Sequence, residues 1–198
     1  ALAHKFTVLT GGPGTGKTFA LMRRIARFLE SGVPPHQVLA VTFTRTAAAD
    51  LVGKLAALGA PGAQNVRAST LHSLAFSLLA KAEVFALTNR VARPLLSHEV
   101  EMLVNDLQGQ FGGKKATRRL IDAFEAYWAT LQVDEPGPPQ QPLEQQFDVA
   151  LRQWLDFHRA LLIGELVPVA LGFVRDNPNS PNVPSFMHVL VDEYQDTN

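Results

Sequence analysis

The stretch Gly11-Gly12-Pro13-Gly14-Thr15-Gly16-Lys17-Thr18 constrains this chain more than any other. It matches the phosphate-loop pattern G-x-x-x-x-G-K-[ST] at every fixed position. Before it, Phe6–Thr10 reads as a short strand rich in β-branched and aromatic residues. After it, Phe19–Leu29 reads as a helix, with Leu21, Met22, Ile25, Phe28 and Leu29 on one face. Glycines let successive backbone N–H groups converge on one anion. The helix start adds the positive end of its dipole. A nucleoside triphosphate is the ligand this pattern selects. Gly12, Pro13, Gly14, Thr15 and Gly16 would form the cradle, Lys17 would reach the β- and γ-phosphates, and the Thr18 hydroxyl would sit on Mg²⁺.

The pattern downstream is short apolar strands alternating with helices, which predicts a parallel α/β sheet. Gly32, Pro34 and Pro35 stop the first helix. Val38–Phe43 is a buried-type strand. Thr44 opens a helix with Leu51, Val52, Leu55 and Leu58 inward. Asn65–Ala68 is a third strand, and Thr70 caps a helix through Leu79. Near Lys81 this rhythm gives way to helices with three apolar stripes. These are Val100/Leu103/Val104/Leu107, then Leu120/Ile121/Phe124/Tyr127/Trp128/Leu131, then Phe147/Leu151/Trp154/Leu155/Leu162. Both tryptophans lie on stripes and read as core residues. Asp134–Pro142 and Asp176–Ser185 read as loops.

The strand pattern returns at Phe186–Val191 and runs directly into Asp192-Glu193. An apolar strand ending in Asp-Glu is a Walker B pattern: Asp192 would hold Mg²⁺, directly or through water, and Glu193 would polarise the attacking water. The expected organisation is therefore an α/β part over 1–81, an all-helical insertion over 82–183, and the α/β part resumed over 184–198.

Charge adds a partner class. Net charge is zero, yet residues 1–80 hold eight Lys/Arg against two acids, Glu30 and Asp50. Such asymmetry fits either a second anionic partner or a solvated basic face. Lys114, Lys115, Arg118 and Arg119 form a further basic cluster, which fits an anionic partner or a solvated face. The chain has no cysteine, which excludes disulfides and thiolate metal sites. No apolar run approaches the roughly 18–20 residues that span a bilayer. No secretory leader pattern opens the chain, so no membrane partner is expected and the expected location is the cytoplasm.

Four segments, in order, make the chain resemble the N-terminal region of a superfamily 1 DNA helicase of the UvrD/Rep/PcrA type. They are Gly11–Thr18 (motif I), Val41–Ala48 (motif Ia), Ser69–Leu74 (motif Ib) and Leu190–Thr197 (motif II). The resemblance implies a P-loop NTPase sheet of the RecA-like kind, domain 1A, interrupted by helical domain 1B. It implies ATP and Mg²⁺ as cofactors and single-stranded DNA and single/double-strand junctions as partners. It further implies a C-terminal RecA-like domain of the same protein that supplies arginine fingers, and a role in DNA repair or recombination. Phe43 is then a base-stacking residue, where the sequence alone equally reads it as a core residue at a strand end. Thr44 and Arg45 would meet the DNA backbone, as would His72, which otherwise reads as a helix-surface histidine. Gln195 would couple the γ-phosphate to the DNA track. Motif Ia departs from the usual Thr-Asn-Lys-Ala-Ala: the basic residue Arg45 stands one place early, about 100° around a helix.

The resemblance leaves two related readings open, the helicase part of a RecB/AddA-like helicase–nuclease and a nucleotide-gated DNA-binding subunit without motor activity. It also implies that a strand from beyond motif II lies between the strands of motifs I and II. The Asp192 strand is therefore expected to be displaced or poorly ordered in this chain, adenine recognition to lie outside it, and hydrolysis by this part alone to be feeble.

Overall fold

The computed structural model describes residues 7, 8, 10, 14–130 and 137–194. The elements are α1 (Lys17–Glu30), β1 (Val38–Val41), α2 (Arg45–Ala57), β2 (Arg67–Ser69), α3 (Leu71–Leu79), α4 (Ala82–Thr88), α5 (Ser97–Leu107), α6 (Lys114–Thr130), α7 (Pro142–His158), α8 (Leu166–Asp176) and β3 (His188–Val191). Two compact units result. One takes the chain up to Leu71 and from Ser185 on, and the other is His72–Pro184. Among the described residues, no single helix is long and apolar enough to cross a membrane.

The first unit is α/β. Its three described strands form a parallel sheet in the order β2-β1-β3. All four residues of β1 are buried, as a central strand covered on both faces requires. One core joins Met22, Ile25, Ala26 and Leu29 of α1 to Val38 and Ala40 of β1 and to Leu51 and Leu55 of α2. Leu58, expected inward, lies past the helix end and is exposed.

Two expectations about strands need correction. Thr7, Val8 and Thr10 belong to no strand, and Val8 is 65% exposed; Phe6 and Leu9 lie outside the described residues. Strand-forming residue types make a strand only when they pair with a neighbour, and among the described residues Thr7, Val8 and Thr10 join no edge of the β2-β1-β3 sheet. The Asp192 strand is not displaced. It pairs with β1 in register from Val38↔His188 to Val41↔Val191. Met187 N donates to Gln37 O and Asp192 N to Val41 O, extending the ladder past both ends. His188 and Leu190 face α1 and the core, while Val189 and Val191 on the other face are exposed.

The second unit is helical. Val100, Leu103, Val104 and Leu107 of α5, Ile121 and Phe124 of α6, and Phe147, Leu151 and Leu155 of α7 form one core, with Trp128 and Trp154 half-buried against it. The three stripes are thus the core; Leu131 lies outside the described residues. Trp154 Nε1 donates to Asp106 Oδ2 at 2.7 Å, satisfying the indole at the core edge. A second cluster joins α3, α4 and α8 through Leu79, Val84, Leu166 and Phe173.

Three helix starts in this unit share one device that the sequence reading did not use. Glu99, Glu144 and Glu165 each turn back three residues to accept the N–H of Leu96, Gln141 and Leu162. These bonds satisfy N–H groups that the helix leaves unpaired. Their electrostatic outcomes differ. The Arg93 fork, aided by the Leu96 N–H, holds the Glu99 carboxyl down at about 2. The backbone N–H groups of Gln140 and Gln141 lower that of Glu144. Burial instead pushes Glu165 up, against the pull of the Leu162 N–H and of Arg90. Arg152 also lowers it and Asp156 raises it.

The Glu165 shift has a definite sign in stability. A folded state that holds this proton more tightly than the unfolded chain loses stability as pH rises from the ordinary value of 4.5 through the folded value. Glu165→Gln keeps an acceptor for the Leu162 N–H and removes the titration. Its Tm is expected to fall less between pH 4.5 and 7 than that of the wild type. Parallel Tm–pH curves for the two proteins would show that Glu165 carries no such linkage.

Candidate functional site

The described part of the glycine-rich loop is Gly14, Thr15, Gly16, Lys17 and Thr18; Gly12 and Pro13 lie outside the described residues. Gly14 and Gly16 have φ of 76° and 83°, in the left-handed region that side chains disfavour. Gly16 is the N-cap of α1, so Lys17 and Thr18 are the helix's first two residues. Their N–H groups are among the four that an α-helix cannot satisfy internally. α1 has no acidic residue in its first turn, which leaves the positive dipole end uncompensated by its own side chains.

Asp192 follows β3 directly. Thr18 Oγ1 donates to Asp192 Oδ2 at 3.1 Å across 174 residues of sequence. Glu193 N donates to Asp192 Oδ1 at 3.2 Å, fixing the carboxylate from its own backbone. Glu193 has φ 49°, in the left-handed region; non-glycine residues held there cost free energy and concentrate at functional sites. Gln195 lies outside the described residues.

The Thr18–Asp192 pair suits one cation in particular. Neighbouring ligands on an octahedral Mg²⁺, each at about 2.1 Å, stand about 3 Å apart, close to the 3.1 Å seen here. Among the described residues, no group of three or more His, Cys, Asp or Glu side chains could hold a metal. One hydroxyl and one carboxylate leave the remaining positions to water and phosphate oxygens, as Mg²⁺ prefers.

Phe43, Thr44 and Arg45 follow β1, at the same strand end as Asp192. Phe43 is 62% exposed, so it is not a core residue. Thr44 is the N-cap of α2, accepting the Ala47 N–H at 3.1 Å. Its hydroxyl proton can still be donated to a phosphate oxygen. Arg45 is the exposed first residue of α2. His72, in the first turn of α3, is exposed and belongs to the helical unit. In the α6 cluster, Lys114 and Arg118 pair with Glu101, and Arg118 also with Asp122. Among the described residues, Lys115 and Arg119 stand outside the ion pairs that tie Lys114 and Arg118 to Glu101 and Asp122.

A glycine-rich turn on a helix N-terminus, facing an Asp-Glu strand end, is the geometry; sequence comparison gives the lineage. The family model for the UvrD/REP helicase N-terminal domain matches residues 1–198. The chain belongs to that family. It is similar to DNA helicase II of Rickettsia typhi, 29% identical over 214 residues that cover 96% of this chain and 31% of that protein. It is also similar to ATP-dependent DNA helicase UvrD1 of Mycobacterium tuberculosis, 30% identical over 221 residues, 96% of this chain and 27% of that one. A shorter match, 38% over 73 residues, joins it to ATP-dependent DNA helicase PcrA of Bacillus subtilis, covering 36% of this chain and 10% of that protein. The chain thus spans under a third of the length of the UvrD-type relatives it matches.

Proposed function

We propose that this chain is the first RecA-like part of an ATP-dependent DNA helicase, with domain 1A over 1–81 and 184–198 and domain 1B over 82–183. The observation that carries the proposal is the Thr18–Asp192 contact. It joins a phosphate-loop helix to an acidic strand end in a chain of the UvrD/REP family. Relatives named ATP-dependent DNA helicases support the choice of ATP and DNA.

In this reading Gly12–Thr18 cradle the triphosphate, with Lys17 placing its charge on the β- and γ-phosphates. Thr18 and Asp192 would hold Mg²⁺, which when bound neutralises phosphate charge. Glu193 orients the attacking water and accepts its proton. Gln195 senses the γ-phosphate. Phe43, Thr44 and Arg45 contact single-stranded DNA, with Phe43 stacking on a base regardless of its identity, and His72 contacts the DNA backbone. Unwinding at single/double-strand junctions, in repair or recombination, belongs to the full-length protein. Hydrolysis there takes further cations from a C-terminal RecA-like domain.

The test is ATPase of the full-length protein with and without single-stranded DNA: DNA is expected to stimulate turnover, and an ATPase indifferent to DNA would overturn the motor reading. Phe43→Ala is expected to weaken single-strand binding by about 1–3 kcal/mol, as stacking on one base contributes. Fluorescence anisotropy reads this loss. Because Phe43 is largely exposed, Tm should stay unchanged.

A further inference from the structure

The metal-holding pair sits at one end of two elements that are tied together again at their other end. Phe28, near the C-terminus of α1, and His188, the first residue of β3, stack with ring centroids 3.8 Å apart and planes within 3°. Both side chains are half-buried. The Arg24 guanidinium carbon lies 4.8 Å from the same Phe28 ring centroid. The lengths correspond. From Thr18 to Phe28 a helix rises about 15 Å, and from His188 to Asp192 a strand extends about 13 Å. The two contacts therefore close a frame of matched length, with Thr18–Asp192 as one rung and Phe28–His188 as the other.

The two long sides of the frame are not equally fixed. β3 cannot slide, because its ladder to β1 is continued by Met187 N to Gln37 O and by Asp192 N to Val41 O. α1 rests on the sheet through Met22, Ile25, Ala26 and Leu29. Apolar burial of that kind holds the helix on the sheet but supplies no directional contact to β3. A stacked ring contact is directional. A one-residue slide of α1, about 1.5 Å, would change the ring overlap and lengthen the Thr18–Asp192 contact.

We infer that the Phe28–His188 stack is a positioning device that sets α1 against β3 and so holds Thr18 and Asp192 at metal-binding separation. This inference rests on the nucleotide–Mg²⁺ reading of the site. Neither ring touches a phosphate in it; both act through the metal pair. The contribution is to metal binding, not to the phosphate cradle.

The test is the affinity of the full-length protein for a fluorescent ATP analogue, measured with and without Mg²⁺, alongside Tm. His188→Leu keeps an apolar side chain but no ring. It is expected to cut the Mg²⁺-dependent gain in affinity about tenfold, in line with other residues that orient metal ligands, and to leave metal-free affinity unchanged. His188→Phe keeps a ring and is expected to keep the gain. So is the exchange Phe28→His with His188→Phe. Equal gains in the Leu and Phe variants would overturn the inference. So would a His188→Leu protein with lowered Tm and an unaltered Mg²⁺-dependent ratio, which is the signature of a structural role alone. A wild type whose affinity does not respond to Mg²⁺ would overturn the metal reading itself, and the positioning role with it.

Discussion

Lys17→Ala is expected to lower DNA-stimulated ATPase of the full-length protein by about a hundredfold or more. That is the scale on which removing one preorganised donor from a site of developing charge acts. Lys17 is the first residue of α1, and the left-handed Gly16 before it sets the direction of the turn. Truncation removes a charge from the N-terminus of α1, where the phosphates are proposed to bind, without disturbing the buried residues Met22, Ile25 and Leu29 that seat the helix. Tm should therefore stay near that of the wild type while turnover collapses. Near-normal turnover in a folded variant would end the phosphate-loop assignment.

Gly164→Ala is expected to destabilise the helical unit by about 1–3 kcal/mol, the usual scale of overpacking. A Cβ at this position would clash with Glu125 O and stand 2.9 Å from Glu125 Cα. Those are backbone atoms in the middle of α6, whose neighbours Ile121 and Phe124 are fully buried, so the helix cannot step aside. The approach is also bonded: Gly164 N donates to Glu125 Oε1 at 3.3 Å. Gly172→Ala is the matched control. It lies within α8, where a Cβ meets nothing within 4 Å, and it is expected to stabilise by about 0.5–1 kcal/mol through helix propensity. Denaturant midpoints of the two variants should move in opposite directions. A Gly164→Ala protein as stable as the wild type would mean that α6 and the 163–165 turn can separate freely.

The Thr18–Asp192 contact was legible in the sequence: a glycine-rich loop ending in Lys17-Thr18 and a strand ending in Asp192-Glu193 predict that these two side chains meet, and they do. The helical stripes were legible because a period of 3.6 writes the buried face directly into the sequence. Phe43 was not settled by sequence, since an aromatic at a strand end packs inward or stands free according to what the next turn does. Thr44 capping α2 turns the chain there and leaves Phe43 outside. The predicted strand at Phe6–Thr10 failed at Thr7, Val8 and Thr10 for the opposite reason: a strand's hydrogen bonds belong to its neighbours and not to itself.

The three glutamates at helix starts divide what each level decides. Sequence places Glu99, Glu144 and Glu165 where each can reach back to an unpaired N–H three residues earlier, a local matter of chain geometry. Whether that carboxylate is held ionised or driven toward its neutral form is not local. Glu99 is half-buried beside the exposed Arg93 and is pulled down, while Glu165 is enclosed, with a charged form that burial penalises more than its own hydrogen bond favours. The same division holds at the site. Sequence determined the glycine-rich loop, the acidic strand end and their order along the chain. Only the tertiary structure set β3 directly beside β1 and stacked His188 on Phe28, because pairing and ring contact depend on distances between segments that the chain itself does not encode locally.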